Sequence, residues 1–159
     1  MTSPEPLYVC GYSRHELQRL ITQGTFFEEI SRRFLEAAGL ASGMRVLDIG
    51  CGAGDLSLVA ADLVGTSGFV LGIDRAAEPL ELAAARARSK GIRNVEFRHA
   101  EITELEPDSP VDALIGRFVL MHQGEPARVL RTAASHVGPG GIVAFLESHM
   151  AGLLPGLHS

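Results

Sequence analysis

The stretch "VLDIGCGAGD", Val46 to Asp55, places three glycines, Gly50, Gly52 and Gly54, within five positions behind an apolar run that carries Asp48. Glycines so spaced let the backbone turn tightly and leave the main chain open to a ligand. The dinucleotide fingerprint G-x-G-x-x-G does not fit, because the sixth position is Asp55 counted from Gly50 and Ser57 counted from Gly52. A carboxylate at the start of the next helix would lie beside a pyrophosphate, an unfavourable place for a second negative charge. A ligand with a cationic or neutral group against the turn suits these residues better. Two further acids follow apolar runs: Asp74 closes "VLGID", twenty residues beyond Gly54, and Glu101 follows "NVEFRHA". An acid in the place of Asp74 can accept from both ribose hydroxyls of a nucleoside. Together Asp48, Asp74 and Glu101 suit a nucleoside joined to a positive charge.

The elements that must position these residues alternate. "RVLDIG", "FVLGID", "NVEFRHAE", "VDALIGRFVL" and "GGIVAFLE" read as five strands. "GDLSLVAADLVG", "AEPLELAAARARSKG" and "EPARVLRTAASHVG" read as helices, the last with Pro126 in its first turn. Strands apolar throughout, separated by helices, predict a doubly wound α/β fold with a parallel sheet covered on both faces. Upstream, residues 1–12 are aperiodic. From Ser13 the pattern is helical, with Ser13 and Glu16 as a capping box and Gly24 as a stop. A second helix should follow, with Phe26, Phe27, Ile30, Phe34, Leu35 and Ala38 as its apolar side and Gly39 as its stop. The expected division is an N-terminal arm and helical lid over residues 1–40 and a ligand-binding domain over 41–159.

Composition bounds the partners. The 159 residues carry 19 acids against 14 Lys and Arg, a net charge of -5. With no basic run, that balance argues against nucleic acid or an anionic membrane surface as a general partner. Cys10 and Cys51 are too few and too far apart for a disulfide framework or a zinc site, and His99, His149 and His158 have no metal-ligand spacing. No signal-peptide pattern or membrane-length apolar run is present, so a cytoplasmic location is expected.

From about Tyr8 to Glu147 the chain resembles the class I S-adenosylmethionine-dependent methyltransferases, whose fold is Rossmann-like. "VLDIGCGAGD" is similar to their first motif, D-x-G-x-G-x-G. "VLGID" resembles the second, "VEFRHAEI" the third, "VDALIGRFVLMH" the fourth, and "GPGGIVAF" the loop and strand that follow. The resemblance implies S-adenosylmethionine as cofactor. The backbone at Gly50, Gly52 and Gly54 would line its methionine portion, with Asp48 toward the ammonium and the Gly116–Arg117 backbone closing that end. Asp74 would take the ribose hydroxyls, Arg75 would lie beside the adenine, Glu101 would accept from the adenine amino group, and the Ile102 N–H would point at a ring nitrogen. The third motif departs from the family in reading "AE" where "GD" is more common. "GYSRHELQRLITQGTFFEEI" also resembles a lid found in a small-molecule subgroup, which would bring Tyr12, Gln23 and Phe26 toward the cofactor.

The family's sheet has seven strands, and after Glu147 only "SHMAGLLPGLHS" remains. The sheet is therefore expected to be truncated after the fifth strand. That strand would be left as an apolar edge, suited to pairing with a second copy in a homodimer. Two functions follow: methyl transfer to a small-molecule acceptor, or cofactor binding without turnover. A nucleotide-binding oxidoreductase is disfavoured by Asp55. No catalytic residue is assigned. Cys51 reads as a small packing residue, His122 as a loop histidine before a base, and "LELAAARARSK" as a solvated helix face.

Overall fold

The computed structural model describes residues 14–148, with side chains from Phe26 onward. Five strands form one parallel sheet: β1 (Arg45–Ile49), β2 (Phe69–Asp74), β3 (Val95–His99), β4 (Val111–Arg117) and β5 (Val137–Leu146). Their order across the sheet is β3-β2-β1-β4-β5. The helices α1 (Arg14–Ala38), α2 (Asp55–Val64), α3 (Ala77–Ser89) and α4 (Pro126–Ala134) alternate with the strands. This is the doubly wound arrangement expected, and the strand order reverses between β1 and β4, where such sheets bind ligands.

The three central strands are buried almost throughout, whereas the edge strand β3 alternates and β5 is half-exposed. Apolar residues on every position are thus a property of the interior strands alone. Two apolar clusters cover the two faces. One packs Leu35 of α1 and Leu56, Val59 and Val64 of α2 on Val46, Val70 and Ile115. The other packs Ala133 of α4 and Leu105 on Leu47, Ile49, Ile73 and Leu114. Burying each large apolar side chain contributes roughly 1.5–3 kcal/mol, which fixes α2 and hence its N-terminus against the sheet.

The two expected N-terminal helices are one. α1 runs unbroken from Arg14 to Ala38, through Gly24. A mid-helix glycine costs about 1 kcal/mol relative to alanine, less than docking the apolar face returns. The stop at Gly39 is as expected: φ is 96°, and the Leu40 N–H reaches the Leu35 carbonyl at 3.0 Å. Ser13, Tyr12 and residues 149–159 lie outside the described residues, as does the side chain of Gln23. β5 begins earlier than expected, at Val137, because its glycine-rich start bulges. Val111 pairs with Val137, but Ala113 already pairs with Ile142. No described helix is long and apolar enough to cross a membrane.

Candidate functional site

The carboxyl ends of β1, β2 and β4 meet around the turn Gly50–Gly54. All three glycines have positive φ, at 62°, 53° and 84°. A Cβ on Gly50 would overlap Val119 at 2.4 Å, and one on Gly54 would meet Phe97 at 2.9 Å, whereas a Cβ on Gly52 would meet nothing within 4 Å. Packing therefore explains Gly50 and Gly54. Gly52 faces open space, as close approach of a ligand to the main chain requires.

Asp74 ties the turn to β2. Its Oδ2 accepts from the Gly52 N–H at 2.9 Å, and its Oδ1 from the Ala76 N–H at 2.8 Å. Each oxygen keeps a further lone pair. Beside it lies a cavity of about 250 Å³ bordered by Gly50, Asp74, Arg75, Glu101 and Ile102 and, opposite, by Phe118, Val119, His122 and Gln123. A second cavity, of about 160 Å³, lies on the other side of the turn, bordered by Asp48, Gly50, Gly52, Asp55 and Arg117. Gly50 and Phe118 border both. Among the described residues Phe118 alone has a positive φ, 54°, without being glycine. Such a conformation is costly, and where it persists its surroundings hold it.

Charge around the second cavity is arranged rather than scattered. Asp48 is 1% exposed, and its Oδ2 accepts from the Ser57 hydroxyl at 2.5 Å. Burial pushes its carboxyl up to about 7; the Ser57 bond and the Arg117 charge oppose that rise, and Asp55 and Asp74 add to it. Asp55, first residue of α2, pairs with Arg86 at 2.8 Å and Arg117 at 3.3 Å. Arg117 also donates to the Ser31 hydroxyl at 3.1 Å. Its guanidinium lies over the rings of Phe27 and Phe118, 5.7 and 5.6 Å from their centroids. One side chain thus joins β4, α2 and α1.

The chain matches the family described as "Methyltransferase domain" over residues 40–157. It belongs to the S-adenosylmethionine-dependent methyltransferases. Among curated relatives, it is 38% identical over 131 residues to the arsenite methyltransferase of Aquipseudomonas alcaligenes, covering 75% of this chain and 38% of that protein. It is 32% identical over 112 residues to a ubiquinone biosynthesis O-methyltransferase of Acinetobacter baumannii, covering 69% and 46% respectively. Among solved structures, a SAM-dependent methyltransferase from Aquifex aeolicus superposes with a TM-score of 0.68 at 30% identity, covering 74% of this chain and 63% of that one. The chain spans less than half the length of these curated relatives.

S-adenosylmethionine is the cofactor of this methyltransferase family, and the donor set fits it. A carboxylate ends β2, open backbone lies at Gly52, and buried or half-exposed acids flank a cavity on each side of the turn. Of the ten positions singled out in the sequence, eight border these cavities. Gly50, Asp74, Arg75, Glu101 and Ile102 line the larger, and Asp48, Gly52 and Arg117, with Gly50 again, line the smaller. Gly54 and Gly116 border neither. Gly116 lies under Phe145 and Val119, where a Cβ would come within 2.5 Å of the phenyl ring.

Several contacts around the cavities were not evident in the sequence. Ser57 meets Asp48 where α2 packs on β1, and Asp55 meets Arg86 of α3. Arg86 lies in the stretch expected to be solvated, yet it donates to the Ala53 carbonyl at 2.8 Å as well as to Asp55. Glu147 holds the turn after Phe118. Cys51 behaves as packing: burial, with the charges of Asp48 and Asp74, pushes its thiol well above the ordinary range and keeps it protonated. His122 borders the larger cavity. His99 Nε2 lies 2.9 Å from the Arg75 carbonyl. Phe26, at 64% exposure, packs edge-on against Phe27, 6.0 Å between centroids.

Proposed function

We propose that this methyltransferase-family chain binds S-adenosylmethionine across the Gly50–Gly54 turn, nucleoside in the larger cavity and methionine in the smaller, and presents its methyl group to a small-molecule acceptor. The observation that carries the reading is the pair of cavities on either side of Gly50, with Asp74 fixed at the mouth of one and Asp48 buried in the wall of the other. When bound, the cofactor supplies an electrophilic methyl on a sulfonium; the rest is orientation.

In this reading the lone pairs of Asp74 that the backbone leaves free accept from the ribose hydroxyls. Glu101 and the Ile102 N–H face the adenine edge, with Arg75 beside the ring. Asp48 faces the ammonium, and the Gly52 and Arg117 backbones close around the amino-acid end. A displacement at a methyl group needs the nucleophile in line, and positioning is worth up to roughly 7–11 kcal/mol in favourable intramolecular cases. A base is needed only where the acceptor must lose a proton, and His122 on the cavity wall is the candidate. The relatives' names give arsenite for one and ubiquinone biosynthesis for the other, so the acceptor here is proposed only as a small molecule.

Calorimetric titration of the chain with S-adenosylmethionine and S-adenosylhomocysteine tests this. Micromolar binding that weakens more than about tenfold in a folded Asp74→Ala variant supports the site. A folded wild-type chain that binds neither compound overturns it. Binding without methyl transfer to any small-molecule acceptor supplied would leave the cofactor reading and remove the enzymatic one.

A further inference from the structure

The segment Phe118–Gln123, four of whose residues line the larger cavity, has almost no secondary structure of its own. It contains a single 3-10 turn, Leu120–His122, whose internal bonds run from His122 to the Val119 carbonyl and from Gln123 to the Leu120 carbonyl. What holds it comes from the end of β5. The Phe118 N–H donates to the Leu146 carbonyl at 2.9 Å. The next two N–H groups, of Val119 and Leu120, donate to Glu147 Oε1 at 3.1 and 3.0 Å, and that of Met121 donates to Oε2 at 3.3 Å. Four consecutive backbone donors are thus taken by two neighbouring residues, three of them by one carboxylate.

The position of this wall matters to the rest of the site. Val119 occupies the space that side chains on Gly50 and Gly116 would need. Gly50 borders both cavities, and Phe118, just before the clamped residues, is held at its costly positive φ. Hydrogen bonds to an ionised acceptor are about twice as strong as neutral ones, so a carboxylate suits a segment that must be held against backbone strain.

We propose that Glu147 is a positioning residue for cofactor binding: its carboxylate sets Val119 against Gly50 and so fixes the spacing between the glycine turn and the opposite wall. This role rests on the cofactor reading above. Glu147 itself borders neither cavity, so it acts through Val119 and Phe118 and not by touching the ligand.

The test uses the full chain with Glu147→Gln and Glu147→Ala. Binding of S-adenosylhomocysteine is measured by calorimetry, and the amide signals of Val119, Leu120 and Met121 by nitrogen-15 NMR. The alanine variant should bind about tenfold more weakly or worse. The glutamine variant should fall between, because its one carbonyl oxygen can still accept from Val119 and Leu120. Upfield movement of the three amide protons should follow the same order. If both variants melt earlier but bind with the wild-type dissociation constant, Glu147 merely caps a turn and the proposal is overturned. Amide signals that stay in place in both variants overturn it as well. Should the alanine variant fail to fold, the glutamine variant carries both readouts. A wild-type chain that does not bind S-adenosylhomocysteine removes the cofactor reading, and with it this role, even where the amide shifts show the clamp to exist.

Discussion

The Ser57 hydroxyl, in the first turn of α2, donates to Asp48 Oδ2 at 2.5 Å beneath the glycine turn, and both side chains are almost wholly out of contact with solvent. Removing one partner of a buried pair leaves the other with its full desolvation cost, about 1–3 kcal/mol. Ser57→Ala should therefore lower the unfolding free energy by that amount in urea titrations. A loss below about 0.5 kcal/mol, the scatter of an ordinary surface change, would mean that Asp48 has no need of the hydroxyl.

The raised carboxyl of Asp48 fixes the sign of a pH effect. Between about pH 4 and 7 the folded chain holds this proton and the unfolded chain has released it. The folded state then binds more protons, so this group's contribution to stability falls as pH rises through that window and levels off above it. The whole effect is at most on the order of 4 kcal/mol. Asp48→Asn should flatten the stability curve between pH 4 and 7 and gain most over the wild type above pH 7. Parallel curves for the two proteins would show that Asp48 titrates normally.

The same proton couples to the ligand. If Asp48 faces the ammonium of the cofactor, the arriving positive charge lowers its carboxyl and expels the proton. S-adenosylmethionine should bind more tightly as pH rises from 6 to 8. Calorimetry at pH 7 in two buffers of different ionisation enthalpy should register a fraction of a proton released. Neither effect should survive in Asp48→Asn.

Two alanine substitutions in one turn should behave differently. Gly54→Ala forces a Cβ to 2.9 Å from Phe97 and 3.0 Å from Ala83 at a φ of 84°, and should cost about 1–3 kcal/mol of stability. Gly52→Ala meets no atom within 4 Å and carries only the backbone cost of a φ of 53°, about 1 kcal/mol. Its methyl enters the open space, so it should lower cofactor affinity more than stability. Equal losses of stability and no loss of affinity at Gly52 would remove that residue from the ligand path.

Arg117 should be intolerant of lysine. Its ion pair with Asp55, whose side chain is 47% exposed, is worth no more than about 1 kcal/mol. The planar group is what lies over Phe27 and Phe118 while it reaches Ser31. Arg117→Lys keeps the charge and loses the stacking. It should resemble Arg117→Met in binding rather than the wild type. A lysine variant with unaltered affinity would show that charge alone matters there.

What the sequence made legible was whatever is written locally. Glycine spacing, apolar runs ending in acids and strand–helix alternation pointed to the turn, the sheet and Asp48, Gly50, Gly52, Asp74 and Glu101 on the cavity walls, while Arg75, Ile102 and Arg117 came only from the family resemblance. What it hid depends on distance along the chain. Arg86 looked solvated because the carbonyl it reaches, Ala53, is 33 residues away. Glu147 gave no signal, since its three donors lie 26 to 28 residues upstream. The single α1 was missed for the opposite reason: Gly24 is a strong local stop signal, yet within a helix it costs only about 1 kcal/mol relative to alanine. At Gly54 and Gly116, which border neither cavity and pack closely against side chains, the letter alone does not separate a glycine required by a neighbour from one required by a ligand.

The strand order also governs when the site can come into being. β1 pairs with β2 through Val46 and Val70, nearby in sequence, but with β4 through Val46 and Ala113, across most of the domain. Loop closure of that length is slow compared with the local pairing. A chain emerging from the ribosome can form the glycine turn and the Asp74 contact early, yet it has no opposite wall until β4 docks and β5 follows to hold it. Affinity for the proposed ligand should therefore appear abruptly once β5 has docked and not before, which makes the ligand a reporter of that step and a stabiliser only of chains that have passed it.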